Sequence, residues 1–282
     1  MTKRVLRIGV MAPGSRIEPV AAEKVKDAAV ALYGDEAPDI FFHPQCFLCD
    51  GHFAGDDSTR RQALVEIAND PAFDALWFAK GGYGSCRLLD GLAGELSPAA
   101  REKTYLGYSD AGSILASLYG EGFTRLAHGP MPADINREGG GKAVERALRY
   151  IVDQDTASLE GSLAPRESMV AFNITILSQL LGTPFQPDLA GHVLMLEEVS
   201  EYMYRIDRAL FHITSNPEIR RVAGIRLGRC SDIPANDPDF VRSEEEVVKH
   251  WCAASGIAYL GRADIGHDIE NKVVPFGPFG SG

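Results

Sequence analysis

Short apolar runs and helix-spaced apolar positions alternate along the first half of the chain. Apolar runs at residues 5–12, 39–43, 75–79, 104–107 and 124–128 predict buried strands. Between them, apolar positions three and four residues apart predict helices at residues 18–33, 57–69, 110–119 and 142–152. Strands that alternate with helices indicate a doubly wound, mostly parallel sheet of the Rossmann or flavodoxin-like type.

The pattern changes after residue 153. A polar stretch at residues 154–168 predicts a linker, and beyond it strand-like runs surround predicted helices at residues 173–181 and 203–213. These runs lie at residues 193–196, 222–227, 257–260 and 272–275. We therefore predict an α/β protein with an N-terminal α/β domain at residues 1–153 and a smaller, β-rich domain at residues 169–282.

Composition and charge narrow the class of protein. The 282 residues are 45% hydrophobic and 24% charged, as in ordinary globular proteins, and the net charge of −11 argues against a nucleic-acid partner. The N-terminus resembles neither a signal peptide nor a membrane span, so we expect a cytoplasmic protein without a membrane partner. Cys46 and Cys49 have metal-ligand spacing but lack a second pair, so we expect two semi-buried thiols, no metal and no cofactor.

The first candidate for chemistry is Ser109. A strand that ends at Gly107 would deliver this serine to the start of a helix, where free N–H groups and the helix dipole stabilise negative charge. The spacing is close to the nucleophile elbow G-x-S-x-G, although the second glycine, Gly112, comes one residue late. Taken alone, the motif is more typical of an N-capping serine or a tight βα turn.

A glycine-rich loop follows another predicted strand. Lys80 is followed by Gly81, Gly82, Tyr83 and Gly84. Glycines let the backbone approach a ligand closely and direct N–H groups towards it. A plain loop is the alternative. We favour a functional loop, because the glycines follow the carboxyl end of a strand, as Ser109 does.

A serine nucleophile needs a base and an acid that orients the base. His267 follows a predicted strand and a turn glycine, a position from which a loop side chain can reach across a cleft, and His128 is a second candidate base at the end of a strand. Glu197 and Glu198 follow four apolar residues and should point to opposite faces of a strand, so only one of them can face the cleft. By themselves, a loop histidine and two strand-end acids are more often merely solvated.

Six motifs in a fixed order resemble a known family over nearly the whole chain. The family is the LD-carboxypeptidases, serine peptidases that include the muramoyltetrapeptide carboxypeptidases and the microcin C immunity hydrolases. The motifs are Gly81-Gly82-Tyr83-Gly84, Gly107-Tyr108-Ser109-Asp110, His128-Gly129-Pro130, Leu181-Gly182-Thr183-Pro184, the stretch from Leu196 to Glu201 with Tyr204-Arg205-Ile206-Asp207-Arg208, and Gly266-His267.

The resemblance implies a Ser-Glu-His triad. Ser109 would be the nucleophile, Glu197 the acid and His267 the base, with oxyanion donors at the backbone N–H groups of Gly82 and Asp110. The nucleophile would then lie in the first domain and its partners in the second. The site is therefore expected at the domain interface.

The chain departs from the family pattern in two places. Lys80 stands where the family commonly has arginine, and Ala171-Phe172-Asn173 stands where it usually has Gly-Gly-Asn. Lysine cannot make the bidentate contact of arginine, and phenylalanine adds bulk near the cleft. We expect Lys80, Gly81, Tyr83 and Phe172 to contact the substrate.

The implied function is that of a cytoplasmic, metal-independent serine carboxypeptidase. Its expected substrate is a small peptide, the murein tetrapeptide of peptidoglycan recycling, from which it would remove the terminal D-alanine. One alternative is a microcin C immunity-like hydrolase of aminoacyl-nucleotide amides, with a peptidyl-nucleotide substrate. Another is a non-catalytic small-molecule binding protein. The sequence leaves the oligomeric state open, with a homodimer as one option.

Overall fold

The computed structural model describes residues 4–162 and 167–278. The strands in these ranges are β1 (Arg7–Met11), β2 (Asp39–Phe42), β3 (Ala75–Phe78), β4 (Thr104–Gly107), β5 (Leu126–His128), β6 (Ser168–Asn173), β7 (Val193–Val199), β8 (Gly224–Ser231), β9 (Tyr259–Arg262), β10 (Val274–Pro275) and β11 (Gly277–Pro278). The α-helices are α1 (Pro19–Tyr33), α2 (Asp57–Asn69), α3 (Leu92–Glu95), α4 (Pro98–Arg101), α5 (Gly112–Gly120), α6 (Gly141–Asp153), α7 (Ile174–Leu180), α8 (Met203–Ser215) and α9 (Glu244–Ser255).

The strands predicted in the first half form one sheet. Its order is β10-β5-β4-β3-β1-β2, and β1 to β5 are parallel to one another. The strands β3 and β4 are buried along their whole length, as expected of a sheet covered by helices on both faces. The predicted doubly wound α/β fold is confirmed. The carboxyl ends of the parallel strands, where such sheets place ligands, lie at one edge.

A smaller sheet holds the second half of the chain, in the order β11-β6-β7-β8-β9. Its strands β6 to β9 are parallel, with α7, α8 and α9 between them. Sequence analysis missed β6, which begins at the end of the predicted polar linker. It gave no bounds for α9, although Ser243 and Glu246 form a capping box that is visible in the sequence.

The predicted linker at residues 154–168 contains local structure where it is described. Thr156–Ser158 form a 3-10 turn, Leu159 makes a β-bridge with Val273, and the buried Glu160 accepts a hydrogen bond from the Asp264 N–H at 3.0 Å. Residues 163–166 and 279–282 lie outside the described ranges. The domain boundaries stay a prediction.

The C-terminal segment joins the two sheets. The strand β10 pairs antiparallel with β5, placing Val274 opposite His128, and β11 pairs with β6, placing Gly277 opposite Met169. A few residues of chain therefore hold both sheets. The loop before β10, which carries His267, is positioned against the end of the first sheet.

Phe172 lies in the hydrophobic core, which corrects its predicted role as a substrate contact. Its side chain is 1% exposed and packs edge-on against Phe276, with ring centroids 5.2 Å apart. A Cβ on Gly112 of α5 would lie 3.5 Å from its ring. The phenylalanine fills space between β6 and α5, and its burial leaves it no surface for a ligand.

Two other predictions concern the cysteines and a membrane span. Cys46 is buried, whereas Cys49 is exposed, so the expected semi-buried pair is wrong for both thiols. Across residues 4–162 and 167–278, no helix is both long and apolar enough to cross a membrane.

We predict that Phe172→Ala lowers the free energy of unfolding by about 3–5 kcal/mol, because it leaves a cavity in the core. Denaturant unfolding measures this loss. Phe211→Ala, at a side chain that is 50% exposed, is the matched control and should cost much less. If Phe172→Ala is instead as stable as the unaltered protein and shows a large rise in KM, Phe172 contacts the substrate after all.

Candidate active site

The turn between β4 and α5 presents Ser109. After Gly107 the chain makes a 3-10 turn over Ser109–Ala111 and continues into α5 at Gly112. Ser109 has a φ of 59°, a left-handed conformation that is costly for a residue with a Cβ. Its side chain is partly exposed. A strained serine on a strand-to-helix turn is the arrangement of a nucleophile elbow.

The glycine loop lies directly against this serine. A Cβ on Gly81 would stand 2.8 Å from Ser109 Oγ and 3.4 Å from the backbone nitrogen of Asp110, so only glycine allows this approach. Gly82 has a φ of 99° and packs so closely on Ser15 that a side chain would collide with it. The backbone of this loop and the start of the helix therefore flank the serine hydroxyl. Oxyanion donation by the N–H groups of Gly82 and Asp110 stays a prediction.

The side chain of Asp110 ties the helix start to the loop. It is buried and its Oδ2 accepts a hydrogen bond from the Ser85 N–H at 2.8 Å. Burial raises the pKa of Asp110, although the hydrogen bonds from Ser85 oppose that effect. The carboxyl group thus holds the loop.

A buried arginine that sequence analysis missed joins the loops around Ser109. Arg60 of α2 is 0% exposed and donates hydrogen bonds to the carbonyl groups of Gly84 at 3.0 Å, Gly55 at 3.2 Å and Pro13. It also pairs with Asp57. In the sequence it stands at helical spacing from Ala63, Leu64 and Ile67, on the apolar face of α2. That placement is a local signal of burial, although it does not identify the carbonyl groups that Arg60 binds.

Glu197 and His267 meet in the interior. Glu197 Oε2 lies 2.5 Å from His267 Nδ1, and their side chains are 0% and 7% exposed. Because a carboxylate accepts and does not donate, the proton of this bond sits on Nδ1. The Nε2 atom then carries the lone pair that a base needs.

A β-bulge accompanies Glu197. The register between β7 and β8 shifts between Leu196 and Glu198, so an extra residue of β8 lies opposite Glu197. A Cβ on Gly228 would stand 3.0 Å from the Cβ of Glu197, and the glycine permits this close approach. Bulges next to sites commonly direct one side chain, and here it is the carboxylate that contacts the imidazole.

The charge of Glu197 determines the titration of His267. Burial alone would lower the pKa of His267, but the neighbouring Glu197 charge and its hydrogen bond outweigh burial and raise that pKa above its ordinary value of 6.5. The imidazolium is therefore stabilised where it stands.

Two residues hold the loop of His267. Arg229 of β8 binds Asp268 through two nitrogens, one of them at 2.9 Å, and Asp264 at 2.5 Å. Asn271 Oδ1 accepts the Gly266 N–H at 3.2 Å. The loop is thus fixed on both sides of the histidine.

Tyr108 brings the two halves of the site together. Its ring lies 4.8 Å, centroid to centroid, from the His267 ring, and its hydroxyl donates to Asp134 at 2.8 Å. Ser109 is the next residue along the chain. Within the described parts of the chain, His267 Nε2 has no hydrogen-bond partner, so the Ser109 hydroxyl does not bond to it in this structure.

His128, the second candidate base, is placed differently. It is buried behind Tyr108 and its Nε2 donates to Asn271 Oδ1 at 3.2 Å. Burial lowers its pKa to about 4, so it is neutral at pH 7. The imidazole supports the His267 loop.

Glu198 is buried, not solvated. It accepts hydrogen bonds from Asn173 Nδ2 at 2.6 Å, from the N–H and hydroxyl of Thr175 at 2.9 and 2.7 Å, and from the Val199 N–H at 2.9 Å. Glu198 therefore anchors the start of α7, and Glu197 contacts the imidazole.

Lys80 and Tyr83, two predicted substrate contacts, lie at the surface of the glycine loop. Lys80 is exposed and Tyr83 is 48% exposed, whereas Gly81 is buried beside Ser109. Tyr83 forms a small aromatic cluster with Phe53 and His52, at centroid distances of 6.0 and 6.1 Å. Substrate contact by these residues stays a prediction.

Comparison with known proteins gives one family. Sequence models match the LD-carboxypeptidase N-terminal domain at residues 8–129 and the LD-carboxypeptidase C-terminal domain at residues 168–279. A putative carboxypeptidase of Synechocystis is 34% identical over 80% of this chain and 75% of its own length. A murein tetrapeptide carboxypeptidase of Pseudomonas aeruginosa is 27% identical over 80% of this chain and 78% of its own.

A solved structure shares the fold. The microcin C7 self immunity protein MccF, in complex with aspartyl sulfamoyl adenosine, superposes with a TM-score of 0.80 over 98% of this chain and 92% of its own. The identity is 16%, so this likeness concerns the fold.

We predict that Glu197→Gln moves the acidic limb of the pH profile of kcat/KM to lower pH. His267 must be neutral to accept a proton, so activity is lost as pH falls through its raised pKa. Burial lowers the pKa of His267, and the Glu197 charge and its hydrogen bond are the largest effects that oppose burial, so losing the charge lowers that pKa. The variant should also lose on the order of 10⁴ in kcat.

Glu198→Gln is the matched control for this profile. The Glu198 charge raises the His267 pKa less than the Glu197 charge does, so the acidic limb should move less in Glu198→Gln. The main effect of Glu198→Gln should be a lower melting temperature. An unmoved limb in Glu197→Gln would contradict the account.

We also predict that Arg60→Met lowers kcat by about 10²–10³, because the oxyanion donors of the loop lose their alignment. Arg60→Lys keeps the charge without the planar fork and should restore only part of the rate. Rates are measured well below the unfolding temperature.

The adjacent Arg61 is the matched control. It binds Glu95 and the carbonyl groups of Leu88 and Asp90, away from the loop, so Arg61→Met should lower stability with kcat preserved. Equal kcat losses in both variants would argue against a positioning role.

Proposed function

The chain belongs to the LD-carboxypeptidase family, and on that basis we propose that it is a serine carboxypeptidase with Ser109, Glu197 and His267 as its catalytic residues. Its proposed substrate is the murein tetrapeptide, from which it removes the terminal D-alanine during peptidoglycan recycling. The names of its relatives support a hydrolase of the carboxypeptidase type.

One observation carries the proposal. The buried Glu197–His267 hydrogen bond of 2.5 Å lies beside the ring of Tyr108, the residue before the strained Ser109. An acid, an imidazole with a free Nε2 and a serine on an elbow are the parts of a serine hydrolase. A loop that binds ligands without catalysis has no need of this set.

In the proposed acylation step, His267 Nε2 takes the proton of the Ser109 hydroxyl while Oγ attacks the carbonyl carbon of the scissile amide. Negative charge develops on the carbonyl oxygen, where the N–H groups of Gly82 and Asp110 stabilise it. Glu197 stabilises the imidazolium. The imidazolium then donates its proton to the leaving nitrogen, the C–N bond breaks, and D-alanine departs.

In the proposed deacylation step, a water molecule takes the place of the leaving amine. His267 accepts a proton from the water, the resulting hydroxide oxygen bonds to the acyl carbon, and the bond to Ser109 Oγ breaks. The proton returns to the serine. The products are the shortened peptide and D-alanine, and the enzyme is regenerated without a cofactor.

A second candidate is the hydrolysis of an aminoacyl-nucleotide amide. The aromatic cluster of Phe53, His52 and the half-exposed Tyr83 beside the glycine loop favours it, because a nucleobase could stack there. Phe172, the other aromatic residue that we expected to contact the substrate, is buried and offers no such surface. Both reactions use the same triad, so the substrate distinguishes them.

The remaining proposals concern the location of the protein in the cell and its oligomeric state. We propose a cytoplasmic location, since the recycled tetrapeptide is a cytoplasmic substrate. A homodimer remains a prediction. A non-catalytic binding function would be supported by a chain that binds peptide without cleaving it.

Turnover of murein tetrapeptide and, separately, of a peptidyl-nucleotide, with products identified by mass spectrometry, tests the function. We predict release of D-alanine from the tetrapeptide. Ser109→Ala should lose on the order of 10⁴ or more in kcat while it stays folded. Ser58→Ala, at an exposed serine of α2, is the control and should keep full activity. Near-normal turnover by a folded Ser109→Ala variant would exclude the triad.

A further inference from the structure

A carboxypeptidase must recognise the free carboxylate at the end of its substrate. An exposed carboxylate is poorly attracted by a protein of net charge −11 unless a cation stands near the scissile bond. We propose that the ammonium group of Lys80 binds the terminal carboxylate of the leaving residue. This inference rests on the proposed function and names the group that makes the enzyme an exopeptidase.

Lys80 is adjacent to the reacting atoms along the chain. The next residue, Gly81, is so close to Ser109 that an added Cβ would stand 2.8 Å from Oγ. Consecutive Cα atoms are about 3.8 Å apart, and a lysine side chain spans a longer distance than this. The side chain of Lys80 is therefore long enough for its ammonium group to reach the space around the scissile bond, where the leaving residue must lie.

Lys80 is also uncommitted. Its side chain is exposed, and no carboxylate or carbonyl oxygen of residues 4–162 or 167–278 lies within bonding distance of its ammonium group. A flexible, hydrated point charge of this kind suits a carboxylate that arrives with the substrate and departs with the product.

Other cations around the site are already engaged. Arg60 is fully buried among carbonyl groups, and Arg229 binds Asp264 and Asp268. Arg137 pairs with Asp134 at 3.0 Å. None of these three is free to bind a substrate anion without breaking a contact that holds the site.

Arg208 of α8 is the main competitor. Its guanidinium lies 5.5 Å from the ring centroid of Tyr204, and it has no ion pair with a described residue. However, no contact places it beside Ser109, whereas the neighbour of Lys80 touches the serine. The geometry therefore favours Lys80, and the test below includes Arg208→Met as a comparison.

The test compares the L,D-peptide with a free terminal carboxylate and the same peptide with a terminal carboxamide. We expect the unaltered enzyme to prefer the acid. Lys80→Met should lower kcat/KM for the acid roughly 10- to 100-fold, the effect of losing a hydrogen bond to a charged group, and should lower it far less for the amide. Lys80→Arg should keep much of the preference.

Lys24→Met is the matched control, because Lys24 is an exposed lysine on α1, outside the site. It should behave as the unaltered enzyme. Equal losses for acid and amide in Lys80→Met, or a preference abolished by Arg208→Met and not by Lys80→Met, would overturn the inference while leaving the carboxypeptidase function intact. Failure of the unaltered enzyme to cleave either peptide would overturn the proposed function, and this inference with it.

Discussion

The hydrogen bond between Glu197 and His267 is the interaction on which the rest of the site depends. Both groups are almost completely buried, and a buried acid or base without its partner is costly. The surrounding chain keeps them together: a bulge in β7 and β8 directs the carboxylate, and Arg229 fixes the loop of the imidazole. The return of β10 to the first sheet then places this pair against Tyr108.

The opposite side of the site is built from backbone. Ser109 is held in a left-handed conformation, and the glycine loop packs against its hydroxyl. Such a conformation persists only where the surroundings enforce it. Arg60 and the side chain of Asp110 do so by binding the loop from within. The polar groups on this side are fixed before a substrate arrives, which is the condition for effective stabilisation of an oxyanion.

The sequence predicted much of the first sheet, because buried parallel strands and amphipathic helices leave strong local patterns. Prediction from the sequence failed for residues whose position depends on contacts between distant parts of the chain. Phe172 was expected at the cleft and lies in the core, since only the packing of β6 on α5 reveals which face it occupies. Arg60 lies at helical spacing from Ala63 and Leu64, but that spacing does not show the carbonyl groups that it binds. Glu198 looked like a solvated strand-end acid, because its pattern does not show the amide groups around it. The pairing of Glu197 with His267, 70 residues away, was accessible through the family resemblance and not through local pattern.

In the proposed mechanism, a serine on one sheet and an acid–imidazole pair on the other act as one unit. A double-mutant cycle tests it most directly: kcat is measured for Ser109→Ala, for Glu197→Gln and for the two changes combined. Residues that act as a unit show strongly non-additive losses, so the combined variant should be no slower than Ser109→Ala alone. Losses that multiply would mean that Glu197 contributes independently of Ser109, and would contradict a triad across the two sheets.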